Sequence, residues 1–411
     1  MLEYICISII LLFLIPIIYV RIRYPFWSTQ PVFHTYDIFR YLARTPYEIH
    51  QSVYSKMHKI DPNIQTISFL DMTNNKKIEL VQFIQDHLVE SDNVLTLIDQ
   101  DNLHNILTGQ FYPSYVSFYE NTKYSIVKGD NGEVGIKNTP QIIGCMTSRG
   151  INMFILDKSD KIHEKNGYLW DYICTHRDHI KYNIGRKLIQ SHDIHQRTHT
   201  KDISISLFRK ENQLCEGVVP LTKYKVFSFI MSKIRKPKIP TPYSVDRIYN
   251  DNVDILYDYL YNITHNITNI RFIAFPDIAN LDILIKSNKI IIYILKRGEV
   301  LCGIYIFKNP MMCYDNIGEQ SNVLECSECL YVQDVQPIFF AGFLHALYHI
   351  QKSFASKYKI ITFHNLGHNY YIIERWKWKY VPLSVNDAAY YLYNAVIPNM
   401  PIGQSECLII T

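Results

Sequence analysis

The chain is poor in glycine, with 15 residues among 411 against 32 tyrosines. It contains no GxxxxGK[ST] loop, no GxSxG string and no HExxH. The nucleotide-cradling, hydrolase-elbow and zinc-helix chemistries that those strings encode are therefore absent. It also lacks a dense cysteine framework. Nine cysteines are scattered, one of them (Cys6) in the first apolar run, which excludes the disulfide-stapled secreted class and makes reduced thiols the default. Charge is nearly balanced at +4, too little for a polyanionic partner, so no nucleic acid is expected. No internal repeat, Pro/Gly linker or low-complexity tract interrupts residues 24–411.

What is present is core material. Hydrophobic residues make up 48% and aromatics 14%, and the length beyond residue 20 is large for a single core, which favours two halves. The abundance of Ile, Asn and Lys resembles the mutational bias of AT-rich genomes, as in many large DNA viruses.

Residues 1–20 carry one charge, Glu3, and Arg21 and Arg23 follow at once. About 20 apolar residues suffice to span a bilayer, and flanking positive charge favours the cytoplasmic side. A cleaved signal peptide would need a basic start and a small-residue cleavage site, and Arg-Ile-Arg-Tyr-Pro-Phe-Trp follows instead. The expectation is a single-pass membrane anchor over 1–23, inserted through residues 1–20, with the body in the cytoplasm.

Along the body, Ile78, Val81, Ile84 and Leu88 give a helical stripe. Residues 203–208 and 226–229 read as strands. Residues 289–295 and 302–307 predict a hairpin turning at Arg297-Gly298. Residues 337–354 predict a long helix with proline in its first turn and a stripe of Phe340, Leu344, Leu347, Ile350 and Phe354, followed by a strand at 360–363. Strand pairs in both halves with helices following strands imply an α+β fold with a largely antiparallel sheet. The basic, proline-rich stretch Ser232 to Pro242 is the seam, dividing 24–235 from 236–411.

Two clusters match metal-ligand chemistry in spacing alone. Cys326 and Cys329 form a lone CxxC with no second pair, which reads as packing more readily than as half a zinc or redox site. His192, His195 and His199 share one helical face, but their segment is polar and has no further ligand, which reads as a solvated helix end. No metal is expected.

Three strings carry more. Tyr24 to Val32 reads YPFWSTQPV, Asp171 to His176 reads DYICTH, and Tyr390 to Asn394 reads YYLYN. Together they resemble protein N-myristoyltransferases, which have Phe-Trp-x-Thr-Gln-Pro-Val, Asn-Phe-Leu-Cys-Val-His and Tyr-Tyr-Leu-Tyr-Asn in the same order. The resemblance implies two fused acetyltransferase-like (GNAT-like) halves sharing a saddle-shaped sheet. It implies acyl transfer from myristoyl-CoA, as substrate and with no cofactor, to the amino-terminal glycine of a peptide. A thioester attacked by an amine needs no protein nucleophile, but backbone N–H groups must stabilise the oxyanion. In the family they come from a bulge that matches Tyr172 and Ile173 here. An ordinary buried strand is the alternative reading of LWDYIC.

The resemblance places the coenzyme against Pro25, Phe26 and Trp27, the strand residues Tyr172, Ile173, Cys174 and Thr175, and a phosphate turn matching Lys181, Asn183, Ile184 and Gly185. An interfacial aromatic belt would explain Phe26 and Trp27 but not TQPV. The family's basic turn survives here only as Lys181 and the small Gly185, with Arg177, Arg186 and Lys187 flanking it. Leu88 to Asp92 (LVESD) resembles an acidic lid over the peptide groove, or is a solvated helix end. The resemblance implies that the base is the chain's terminal carboxylate, here on Thr411, and the apolar ending Leu408-Ile409-Ile410-Thr411 implies burial, which raises a carboxylate's pKa. Asn365 stands at a family aspartate, and the family's Tyr-Thr-Ala-Gly strand has no counterpart. Beside the active N-myristoyltransferase stand two alternatives, an inactive membrane-anchored relative and an acyltransferase for another amine or chain length.

Overall fold

A computed structural model describes the backbone of residues 2–51, 60–88, 94–128, 134–266, 269–314, 321–331, 335–354 and 357–411. Among them runs one sheet of sixteen strands. Its path is Cys407–Ile409, Phe272–Phe275, Val134–Leu156, Ile162–Thr175, Ser206–Glu211, Ser384–Tyr393, Thr222–Ile230, Tyr358–His364, Ser321–Tyr331, Val300–Lys308, Ile290–Arg297, Tyr243–Arg247. Most pairs are antiparallel. The parallel ones are Phe272–Phe275 with Cys407–Ile409, Ser321–Tyr331 with Tyr358–His364, and Ile162–Thr175 with Ser206–Glu211. The α+β expectation with a largely antiparallel sheet holds.

Strands cross the seam. Phe272–Phe275 and Cys407–Ile409 extend the sheet edge at Val134–Leu156, and Ser384–Tyr393 inserts between Ser206–Glu211 and Thr222–Ile230. The seam itself is irregular chain, held where Gln351 of the helix Gln336–Ser353 bonds the backbone of Ser232 and Ile234.

The local periodicities appear as elements. The first stripe becomes the helix Asn74–His87, capped by Thr73 through Oγ1 to the Lys76 N–H, and it buries Leu80, Val81, Phe83 and Ile84. The hairpin forms with Arg297 opposite Val300 and with Gly298 at φ +60°, a turn conformation that favours glycine. In Gln336–Ser353 the buried face is Phe339, Phe343, Ala346, Leu347 and Ile350. Phe340, Leu344 and Phe354 are only partly buried, so the stripe is rotated by about one residue from the sequence reading.

The membrane anchor is corrected. Among the described residues no helix is long and apolar enough to cross a membrane. Leu2–Arg23 does form a helix, but Pro16 lies inside it and removes a ladder hydrogen bond. Its last turn rests on the protein. Val20 is buried, its Cγ1 lies 3.0 Å from where a side chain on Gly217 would begin, and the Tyr24 hydroxyl bonds Glu216. With the anchor go the single-pass placement and the orientation read from Arg21 and Arg23.

The histidine segment is also corrected. In the helix Ile184–His199, His192, Asp193, Gln196 and Arg197 are buried. His192 Nδ1 lies 2.8 Å from Ser117 Oγ, and His199 Nδ1 pairs with the His195 carbonyl at 2.7 Å. The helix lies over the sheet, so His192, Asp193, Gln196 and Arg197 are covered, while Thr198 and His199 at its end stay exposed. Cys326 and Cys329 are both fully buried, with sulfurs 3.6 Å apart. No group of three candidate metal ligands occurs among the described residues.

Candidate active site

The strand Ile162–Thr175 is irregular at its end. Against Val134–Leu156, Asp171 pairs with Thr147 and Cys174 with Cys145, so Tyr172 and Ile173 stand opposite Met146 alone. Tyr172 has φ +47°. Two residues against one, with the first in the left-handed region, is a β-bulge, and it withdraws the extra residue from the ladder. A left-handed tyrosine costs about 1–2 kcal/mol, which the surrounding packing must offset. Tyr172 is packed against the core, and that burial pushes its phenol pKa up.

The amino-terminal string lies beside this strand. Trp27 stacks on Phe208 at 5.7 Å and meets Phe26 edge-on at 4.9 Å. The Arg186 guanidinium sits 5.6 Å above the Phe26 ring, in the first turn of Ile184–His199. Asn183 precedes that turn at φ +56°. Gly185 has only the Thr175 γ-methyl near its Cβ position, at 3.8 Å. Phe26, Thr175, Asn183, Ile184 and Gly185 thus meet around one helix N-terminus, an anion-favouring feature, with Pro25 and Trp27 flanking Phe26 in the chain. Lys181 falls in the short helix Arg177–Tyr182, and its side chain lies outside the described residues. Lys187 is committed elsewhere, to Asp61 at 3.0 Å and Tyr119 at 3.3 Å.

The strings at the two ends meet. Tyr393 donates its hydroxyl to Gln30 Oε1 at 2.8 Å, and the Asn394 N–H donates to the Pro31 carbonyl at 2.6 Å. Gln30, Pro31 and Val32 are buried, so TQPV is a packed segment joined to YYLYN.

The carboxy-terminal residues are buried as well, Leu408, Ile409 and Ile410 almost completely. The Ile410 N–H donates to the Ala274 carbonyl at 2.8 Å, and the Ile409 N–H to Glu328 Oε2 at 2.6 Å. Glu328 is fully buried, and desolvation holds its carboxyl far above the usual range, partly offset by the Ile409 bond.

Thr411 and Tyr172 line one cavity of about 230 Å³. Its apolar wall includes Leu88, Ile98 and Met311. Its polar wall carries Arg149, Asp171, Arg209, Lys308 and Glu325. Arg149 Nε is 3.4 Å from Asp171 and its Nη1 3.2 Å from Asn280 Oδ1. Arg209 Nη2 reaches Glu211 at 2.8 Å and His364 Nε2 at 3.2 Å. Burial, then the Arg209 charge, holds the His364 pKa well down, so this imidazole is neutral. Asn365 donates to Gln404 Oε1 at 2.7 Å. The sequence reading missed Glu328, which binds the carboxy-terminal strand, and the cationic wall of the cavity, because strand registry alone brings these positions together. The proposed lid lies, beyond Leu88, outside the described residues.

No protein-family model matches the chain, and no curated protein matches it by sequence. Solved structures do. A crystal structure of Saccharomyces cerevisiae N-myristoyltransferase with bound myristoyl-CoA superposes with a TM-score of 0.65 at 10% identity, covering 92% of this chain and 94% of that one. A second structure of the yeast enzyme with myristoyl-CoA gives 0.66 at 10%, covering 93% and 90%. A third, with myristoyl-CoA and inhibitors, gives 0.64 at 10%, covering 92% and 91%. At this identity the likeness is one of architecture, and over nearly its whole length this chain has the N-myristoyltransferase fold.

Proposed function

We propose that this protein is an N-acyltransferase that moves a myristoyl group from myristoyl-CoA to the amino-terminal glycine of a peptide. The observation that carries the reading is the bulge at Tyr172 and Ile173, whose first residue shares a cavity with Thr411. The amine nitrogen attacks the thioester carbonyl, and the bulge N–H groups stabilise the oxyanion. The carbon–sulfur bond then breaks and coenzyme A leaves as its thiolate. The carboxylate on Thr411 takes the proton that the amine loses. Residues 24–235 hold the donor, with Pro25, Phe26, Trp27, Cys174, Thr175 and the turn Lys181, Asn183, Ile184 and Gly185 against the coenzyme. Residues 236–411 hold most of the acceptor.

The test is direct. The protein, myristoyl-CoA and a glycine-initiated peptide are mixed, and the acylated peptide is sought by mass spectrometry. The expected product is a peptide acylated at its α-amine. No tight binding of myristoyl-CoA would remove the reading. A second reading, an inactive relative, is favoured by the engagement of Lys187 with Asp61, which takes a cation from the phosphate turn. It predicts donor binding with no product.

A further inference from the structure

The cavity that holds Thr411 and Tyr172 has an unusual charge distribution. Four cationic side chains line it, Arg149, Arg209, Lys289 and Lys308, against the two side-chain carboxylates of Asp171 and Glu325. Both arginines have acidic partners, Asp171 and Glu211. Lys308 stands next to Glu325 across the strand ladder. Lys289 has no such partner. It is 8% exposed, it stands just before the strand Ile290–Arg297, and its ammonium donates to the Met311 thioether at 3.0 Å. Among the described residues no carboxylate lies within ion-pairing distance of it.

A thioether is a weak acceptor. An ammonium that is buried without an anion carries a desolvation cost, and a ligand carboxylate would offset it. Burial pushes the Lys289 pKa down to about 8, against the more distant Asp99 charge, so the side chain still carries its charge for most of the time at neutral pH. A carboxylate brought into the cavity would hold that charge fully.

We propose that the acceptor read by this cavity carries an acidic side chain a few residues from its reacting amine, and that Lys289, seconded by Lys308, selects it. The proposal rests on the acyltransferase reading. It also runs against the acidic lid that the family resemblance implies, which would favour basic peptides.

The experiment uses the full chain and three series of glycine-initiated peptides, identical except for Glu, Gln or Lys placed at each successive position after the glycine. Affinity is read by fluorescence anisotropy, on the free protein and on protein loaded with a non-hydrolysable thioether analogue of myristoyl-CoA. Transfer is read separately with myristoyl-CoA. The Glu peptide should bind at least about tenfold more tightly than the Gln peptide at its best position. Lys289→Met, which retains bulk beside Met311, should collapse that ratio towards one. Lys289→Glu should shift the preference to the Lys peptide. Equal or reversed preference in the natural protein, no peptide binding in either state, or an undiminished ratio in folded Lys289→Met overturns the proposal. Loss of donor binding or of turnover, with the peptide preference intact, overturns the transferase reading instead.

Discussion

At the scale of single residues, the two ends of the chain are fixed by individual polar groups. Glu328 accepts the Ile409 N–H, and burial raises its carboxyl pKa. Its folded pKa lies above the unfolded value, so its contribution is present below about pH 4.3 and is lost as pH rises. Glu328→Gln should therefore stabilise the protein at pH 7, and the gain should vanish below about pH 4. Denaturant midpoints measured across pH check this, and a gain that grows in acid would contradict it. Glu328→Ala leaves the buried Ile409 N–H without a partner and should cost about 1–3 kcal/mol. Gly185 and Trp27 test the coenzyme contact. Gly185 has open space around its Cβ position, so Gly185→Leu should fold normally and yet weaken myristoyl-CoA binding about tenfold or more. Trp27→Ala should do the same at some cost in stability, because it loses the stack on Phe208. Titration of donor into folded variants decides, and unchanged affinity in both would remove the site.

At the scale of elements, the bulge in Ile162–Thr175 has a testable backbone signature. In a regular strand valine is favoured over glycine. At φ +47° the order reverses, because a β-branched side chain in the left-handed region costs about 1–2 kcal/mol. Tyr172→Val should therefore be less stable than Tyr172→Gly by about that amount in denaturant melts. A valine variant as stable as the glycine one would show that the strand is regular. Sequence pattern could not announce this bulge. LWDYIC reads as a buried strand, and the bulge exists only because Met146 of another strand faces two residues. The hairpin at Arg297-Gly298 and the helix Asn74–His87 were legible, because a turn residue and a 3.6-residue period are local properties.

At the scale of the whole molecule, the carboxy terminus reaches the candidate site by running beside Phe272–Phe275, a strand that itself extends the edge at Val134–Leu156. Thr411→Ala should keep most activity, since the proposed base is the carboxylate and not the side chain. Deleting Ile410 and Thr411, or adding a short tag after Thr411, should lower transfer by about 10²–10⁴-fold, the usual worth of a general base. Donor binding should survive, because the Trp27 and Gly185 region lies on other elements. Rates at neutral pH measure this, and a fully active tagged protein would place the base elsewhere. Strand exchange across the seam also implies that fragments 24–235 and 236–411 expressed separately should each be poorly folded. Each would expose an edge that the other covers.

The sequence by itself determined the α+β class, the helices Asn74–His87 and Gln336–Ser353, the hairpin at Arg297-Gly298, and the three strings that resemble N-myristoyltransferases, since these depend on period, turn residues and residue identity. It misjudged what depends on surroundings. An apolar run of twenty residues suggested a membrane span, but among the described residues no helix is long and apolar enough to cross a membrane, and the end of the run docks through Val20 and Tyr24 at Gly217 and Glu216. The polar run around His192 looked solvated, but Ser117 on a distant strand receives it. The tertiary structure alone joined Gln30 to Tyr393, bulged the strand at Tyr172, and turned Lys289 into the cavity with Thr411. The physical reason is common to all of these. Pairing register and burial are set by contacts between residues far apart in sequence, and no local pattern encodes them.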